Sequence, residues 1–453
     1  MQRSSRQNRW SVKLTFIFLM LFSSIVPAQE WVYTVVPGDN LWNFCEKYLT
    51  KVTYWKKIQQ INNIKRPKRM QPGTRVRVPM AWIKHNAAHA EIVTSRGKVT
   101  LIKADGTRMD ALTPGTRLLL GDRLETGADS NAAIRFADNS LITLHAESTI
   151  RFDHLTAYGE TGMVDSRLHL VKGRGDTRIT PASGPGSRFE IRTPSAISAV
   201  RGTEYRLSSS DESDASTFEV LEGKVAVSGE KKTRLLPARF GTRVEAGKPP
   251  LPPRELLPPP TFDPLPEKIQ QLNWPVTWQA LPGAEGYRAE ISQQADFLSP
   301  LWQQQVKSAR VPLPDLPDGS YHIRVRAIDD IGLEGINQTQ IITLDARPQP
   351  PVPLSPNNAA VFRGSLPKLG WSASEDATTY RLQIASEPGF QNLLVDQGGL
   401  NATHFETTEL KAAGNYYWRL FSISESGEQG PVSDTREWEI KLIPDKPEAT
   451  VAA

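Results

Sequence analysis

The chain of 453 residues contains a single cysteine, Cys45, so it has no intrachain disulfide and no cysteine cluster for a metal. Histidine is also scarce, at seven residues. His85 and His89 stand four apart in HNAAH, a spacing that would place both on one helical face, but no Glu lies between them and no third ligand is evident. The other five, His145, His154, His169, His322 and His404, fall in β-patterned or turn sequence and are expected to face solvent. No glycine-rich phosphate loop is present. Long apolar runs are missing except for LTFIFLMLFSSIV, residues 14–26, which is shorter than the roughly 20 residues that span a bilayer. Arg3, Arg6, Arg9 and Lys13 precede this run and Val26-Pro27-Ala28 follows it, the pattern of an export signal cleaved after Ala28. Cys45 lies beyond that point and offers no lipid attachment. The expected location is the periplasm or cell envelope, with no stable transmembrane anchor once the signal is removed.

What is present is unevenly distributed. Without the four signal cations, 50 basic residues face 49 acidic ones, yet Glu30 to Lys84 carries 11 Lys or Arg against 3 acids, or +8. The remainder carries 39 against 46, or −7, so the basic character belongs to one small region. A chain this long is expected to hold several cores. Residues 30–80 read strand, helix, helix, strand: WVYTVV and TRVRVP alternate, and LWNFCEKYL and YWKKIQQINNI have helical spacing. Residues 91–247 change to short alternating runs such as AAIRF, SLITLH, SRLHLV and FEVLEGKVAV between Gly, Asp and Asn turns, which predicts an all-β domain. Residues 248–266 hold nine prolines in nineteen positions and read as a semi-rigid polyproline spacer, and RPQPPVPLSP, residues 347–356, as a shorter one. Residues 267–346 and 357–442 form a repeat. Trp278, Tyr287, Ile291 and Phe297 recur 93 residues later as Trp371, Tyr380, Ile384 and Phe390. Gly319, Tyr321, Arg324, Gly332 and Gly335 recur 95 later as Gly414, Tyr416, Arg419, Gly427 and Gly430. The expected fold is multidomain and mainly β: a small βααβ module, an all-β domain and two tandem β-sandwiches. The last dozen residues read as a frayed tail.

Tyr33, Val35, Gly38, Asp39, Leu41, Trp42, Ile58, Ile61, Asn62, Pro72, Gly73, Val76, Val78 and Pro79 together resemble a LysM module over its whole length. The resemblance implies binding of N-acetylglucosamine-containing glycan, and behind an export signal that means peptidoglycan. Gly38 permits a tight turn that brings backbone amides close to a ligand, and Asp39 is placed to cap the following helix. The glycan groove implied by the resemblance is lined by Gly38, Asp39, Asn40 and Leu41 on one loop and by Ile61, Asn62, Asn63 and Ile64 on the other. Leu41 and Ile64 offer apolar faces there, and Asn40 stands where the family usually has threonine. Trp42, Ile58 and Val76 are expected to build the fold. Lys65, Arg66, Lys68 and Arg69 crowd the loop before the last strand and suit contact with an anionic surface rather than nucleic acid, given the export signal.

Residues 114–152, PGTRLLLGDRLETGADSNAAIRFADNSLITLHAESTIRF, with TPSAISAVRGTEYRL and VLEGKVAV farther on, resemble a FecR-type domain. FecR proteins proper join such a domain to a membrane helix and a cytoplasmic segment that controls a sigma factor, and neither is seen in this chain. Arg201-Gly202-Thr203 reads as a turn with a buried ion pair, and Asp122 and Asp138 as turn residues without a third carboxylate for a metal. The two sandwiches look similar to fibronectin type III domains in their Trp, Tyr and Gly spacing.

No catalytic residue is expected. Cys45 falls inside a helix of the LysM-like module, and no helical domain surrounds a Glu as a lytic transglycosylase would need. The resulting expectation is a non-catalytic, cofactor-free and metal-free peptidoglycan-binding envelope protein, its β-domains acting as scaffold or interaction modules for an envelope protein partner. The alternatives are a periplasmic sensing protein whose FecR-like domain contacts a membrane partner, and an accessory of export or surface assembly.

Overall fold

The computed structural model describes residues 29–210, 214–363, 365–408, 410 and 412–441; the stretch expected to be an export signal and the last dozen residues lie outside them. The chain forms two compact units, one reaching Lys84 and one holding most of the chain from His85 onward.

In the first unit β1 (Glu30–Thr34) pairs antiparallel with β2 (Arg75–Pro79), and α1 (Leu41–Tyr48) and α2 (Trp55–Ile61) connect them. Helix α1 buries Leu41, Phe44, Cys45 and Tyr48, the i, i+3, i+4, i+7 face of an amphipathic helix. Phe44 and Tyr48 meet Trp31 and Tyr33 of β1 at ring-centroid distances of 4.9–6.2 Å. The helical spacing predicts that the second helix reaches Ile64, but it stops at Ile61 because Asn63 takes a left-handed conformation, φ +51°.

In the second unit the short alternating runs become strands of two sheets that share one long strand, Val164–Ile179, and the pairing closes into a barrel. Residues from Val164 to Lys172 pair with Thr149–Ala157 in one sheet, and Gly173 to Ile179 pair with residues 203–209 in the other. The change of sheet occurs at Gly173, with φ +94°; a Cβ there would lie 2.0 Å from Ser148 Oγ. Only glycine fits this crossing. Phe152, Leu168, Tyr205, Phe218 and Val227 fill the core between the sheets.

Each half of the repeat is a two-sheet sandwich. Strands Gly286–Ser292 and Gly319–Ile328 are central to one, and Thr379–Ala385 and Gly414–Ile423 to the other. The repeated residues make repeated contacts. Trp278 meets Tyr287 edge-on at 5.3 Å, as Trp371 meets Tyr380 at 5.7 Å. Tyr321 and Tyr416 each donate to the carbonyl four residues upstream, at 2.8 Å. Arg324 lies over Phe297 at 4.2 Å and Arg419 over Phe390 at 4.0 Å.

The proline-rich stretch is not a free spacer. Leu256 is buried and its amide donates to Arg239, Arg254–Glu255 pairs with Phe240 and Gly241, and Phe262 bridges to Trp278. Its scattered apolar side chains and the amides between prolines find partners on both sides, which polyproline geometry alone does not reveal. The second stretch is also tied down, by Pro353–Ser355 pairing with Lys368–Trp371 and by Arg347 pairing with Asp315 and Asp376.

Candidate functional site

The loop from Pro37 to Asn40 is built by hydrogen bonds to its neighbours. Gly38 has φ +95° and open space where a Cβ would sit, so its backbone is presented to solvent. Asp39 does not cap α1, contrary to the sequence expectation. Its Oδ2 accepts from the Tyr33 hydroxyl at 2.7 Å and the Val36 amide at 2.8 Å, closing the turn, and Asn40 Oδ1 caps the helix by accepting from the Asn43 amide at 2.9 Å. The same contact with Asp39, after burial itself, pushes the Tyr33 hydroxyl well above its ordinary pKa, so it stays protonated as a donor.

Asn62 is a clamp. Its amide nitrogen donates to the carbonyls of Ile58 at 3.0 Å and Arg77 at 2.8 Å, and its oxygen accepts from the Arg77 amide at 2.7 Å, tying the end of α2 to β2. Its backbone amide also donates to Ile58 at 3.1 Å, which leaves only its carbonyl for a ligand. Asn62→Ala is expected to lower stability by about 1–3 kcal/mol, measured by urea unfolding, through loss of these bonds. Leu41, expected to offer an apolar face, is 1% exposed and belongs to the core, whereas Trp42, expected in the core, is 56% exposed. The reason is helical register: once Asn40 is the cap, Leu41 joins the buried face and Trp42 turns away from it.

Ile61 and Ile64 are half-buried and Asn63 is exposed. The two loops share no hydrogen bond among the described residues; the first is instead held to the following segment by Leu41 N to Pro67 O, 2.9 Å, and Met70 N to Asp39 O, 3.4 Å. Lys65, Arg66, Lys68 and Arg69 are all exposed beside that junction. Cys45 is fully buried, and burial pushes its thiol up to about 12, so it is neutral and inaccessible as a nucleophile.

Comparison with known families agrees with this geometry. Residues 33–79 match the LysM domain family, and residues 122–226 match the FecR protein family. An uncharacterized protein of Deinococcus radiodurans is 46% identical over 50 residues, 11% of this chain and 20% of that protein, so the chain spans about a fifth of this relative. Among solved structures, a putative anti-sigma factor from Parabacteroides distasonis is 15% identical over 29% of this chain and 59% of its own, with a TM-score of 0.25. A Fn3-like protein from Clostridium thermocellum is 19% identical over 22% of this chain and 96% of its own, with a TM-score of 0.18. LysM and FecR modules are non-catalytic binding or scaffold domains typical of envelope proteins. Among the described residues no helix is long and apolar enough to cross a membrane.

Several residues of the FecR region and its surroundings depart from expectation. His85 and His89 flank the short strand Asn86–Ala87 and are not on a helix, so the i, i+4 metal geometry does not arise. Arg201 is exposed and makes no buried ion pair, though Gly202 does form a turn, packed against Pro181. Asp122 serves its turn, accepting from the amides of Leu119 at 2.9 Å and Ala104 at 3.1 Å, and also pairs with Lys103 at 3.1 Å. Asp138 accepts from the Ser140 amide at 3.0 Å. Asp318, Asp345 and Glu428 bring carboxylate oxygens within 4.8 Å of one another, but Asp345 is already paired with Lys268 at 3.0 Å.

The largest departure is a buried charge network between the FecR region and the first sandwich. His145, expected at the surface, is 1% exposed, with Nε2 3.0 Å from Asp176 Oδ1. Glu290 accepts from Arg324 at 2.8 Å and from both terminal nitrogens of Arg326 at 2.8 and 3.1 Å. Glu334 pairs with Arg288 at 2.6 Å, Arg174 at 3.3 Å and Arg326 Nε. Arg206 donates to the carbonyls of Glu334 at 2.6 Å and Gly335 at 2.7 Å. Burial raises Asp176, Glu290 and Glu334, yet the surrounding arginines, with His145 beside Asp176, outweigh it and hold all three well below the usual carboxylate range. Glu219 differs: burial, with the neighbouring Glu334 adding to it, lifts it to about 7 against the pull of Arg206. In the alternating pattern of single strands these residues read as a solvated face. A comparison of the repeats is the signal that finds them, because Glu290, Arg326 and Glu334 correspond to Gln383, Phe421 and Gln429 in the second sandwich.

Proposed function

We propose that this chain is a non-catalytic, exported peptidoglycan-binding protein of the cell envelope. Its LysM region, within 30–80, holds N-acetylglucosamine-containing glycan. The FecR region within 91–247, followed by the proline-rich segment 248–266 and the sandwiches at 267–346 and 357–442, serves as a scaffold for a protein partner. The match of residues 33–79 to LysM carries the reading. The backbone of Gly38, the amide of Asn40 and the exposed Asn63 offer polar groups to acetamido substituents, beside Asp39, whose own amide and carbonyl bond to Val36 and Met70, and the half-buried Ile61, Asn62 and Ile64. Trp42 supplies an exposed ring of the kind that packs on a pyranose face. Lys65, Arg66, Lys68 and Arg69 add a salt-sensitive attraction to the anionic wall. Because the proline-rich segment is packed, the first sandwich is fixed on the FecR region rather than held at a distance from it.

Full-length protein is expected to sediment with purified sacculi, to be displaced by soluble N-acetylglucosamine oligomers and to release no soluble fragments. Release of labelled fragments would show an enzyme instead. Trp42→Ala is expected to change stability by no more than about 0.5 kcal/mol, as an exposed site, while weakening sedimentation at least about tenfold. The FecR match favours a second reading, a sensor that contacts a membrane partner. An in-cell cross-link from residues 122–226 to an inner-membrane protein would support that assignment.

A further inference from the structure

We infer that the polar cavity between the FecR region and the first sandwich is a binding site for a short peptide with a free carboxylate. The cavity, of about 890 Å³, is lined on one side by His145, Lys172, Arg174 and Ser208 and on the other by Arg288 and Gln303. A second cavity of about 330 Å³ shares Arg174, Ser208 and Arg288 and extends to Arg206, Glu219 and Glu334.

Two observations point to a ligand of this class. Nδ1 of the buried His145, Nη2 of Arg174, Oε1 of Gln303 and Nε of Arg206 are buried and have no hydrogen-bond partner within the protein. His145 Nε2 faces Asp176 Oδ1 at 3.0 Å, while Arg174 Nη2 is 3.7 Å from Glu290 and Arg206 Nε 4.0 Å from Glu219, both beyond hydrogen-bond reach. Buried polar groups are almost always paired, so several orphans around one cavity indicate groups shaped for something that enters it.

The second observation is charge. Arg174, Arg206, Arg288, Arg324 and Arg326 are five buried or largely buried cations, against the four carboxylates Asp176, Glu219, Glu290 and Glu334. Among these buried groups the excess is +1 even with every carboxylate ionised; the lining of the larger cavity adds Lys172, exposed at the rim, and the carboxylates Glu125 and Glu147, of which Glu125 is already paired with Arg108 and Arg123. A carboxylate entering between Lys172, Arg174 and Arg288 offsets this excess with charge-assisted hydrogen bonds. Gln303 Oε1 is an acceptor and calls for an N–H donor, which a peptide has and an inorganic oxyanion lacks. The second sandwich supplies an internal contrast: Asp396 and Gly398 correspond to Gln303 and Gln305 there, and the acidic network is absent.

Isothermal titration of the full-length protein with tri-alanine, tri-alanine amide and inorganic phosphate tests the assignment. Tri-alanine is expected to bind and raise Tm, and the amide, which loses a charge-assisted bond, to bind at least about tenfold more weakly. Lys172→Gln and Gln303→Ala, both away from the buried ion pairs, are expected to fold and each to weaken tri-alanine about threefold or more. No binding by any probe would overturn the inference. So would equal binding of tri-alanine and its amide, binding of phosphate alone, or tri-alanine affinity unchanged in both variants.

Discussion

Glu290→Gln is expected to destabilise the protein by about 3–5 kcal/mol, because the buried Arg324 and Arg326 lose the carboxylate they share and keep only Asp176 and Glu334. Arg326 has no solvent exposure at all, so water cannot replace the lost partner. The second sandwich shows how the same strand pair manages without the charge. There Gln383 accepts from Arg419 at 2.9 Å, and Phe421 stands where Arg326 does, so one amide serves one arginine. The double variant Glu290→Gln with Arg326→Phe reproduces that arrangement and is expected to recover at least half of the loss. Chemical denaturation of the two variants beside the parent checks this. Recovery would show that the cost lies in the Arg326 guanidinium left with Glu334 alone and not in the missing carboxylate itself.

Glu219→Gln is expected to act in the opposite direction and only at higher pH. The folded-state carboxyl titrates at about 7 and the unfolded one at its ordinary 4.5. Below about pH 4.5 both states hold the proton and Glu219 has no net effect. Between about 4.5 and 7 only the folded state holds it, so its contribution to stability falls as pH rises, and above about 7 the full penalty is in place. The difference is worth about 3 kcal/mol at most. The variant is therefore expected to match the parent near pH 5 and to exceed it by about 1–3 kcal/mol at pH 8. Asp176, Glu290 and Glu334, all held low, work in the reverse sense, losing stability as the pH falls. Because the variant keeps these three groups, the difference between the two unfolding curves isolates Glu219. A constant difference across pH 5–8 would contradict the assignment.

The repeat and the periodicity were legible in the sequence because they follow from side-chain alternation and from aromatic residues that can only sit in a core. Trp278 with Tyr287 and Trp371 with Tyr380 are the clearest instances. Positions where one residue type has two possible roles were not legible. Asp39 and Asn40 both suit a helix cap, and only the backbone decides that Asn40 takes it while Asp39 ties Tyr33. That choice fixes the helical face and with it the exchange of Leu41 and Trp42 between core and surface. The buried arginines were hidden for another reason: a strand that alternates charge with apolar residues has one pattern whether its charged face meets water or another domain. His145, placed in solvent by pattern, is buried because it follows directly on strand Leu141–Leu144, at the cavity where the first sandwich docks.

The claim on which the functional reading turns is that the LysM loops with the exposed Trp42 at the start of α1, and not the basic patch, hold the wall. It is tested most directly by sedimenting full-length protein with purified sacculi near 1 M salt, where charges are screened beyond about 3 Å. The parent, Trp42→Ala and a variant with Lys65, Arg66, Lys68 and Arg69 all changed to Gln are compared. The account predicts that the parent and the four-Gln variant remain bound while Trp42→Ala is released. Release of the parent at high salt, with Trp42→Ala binding as well as the parent at low salt, would contradict it and leave attraction between charges as the whole interaction.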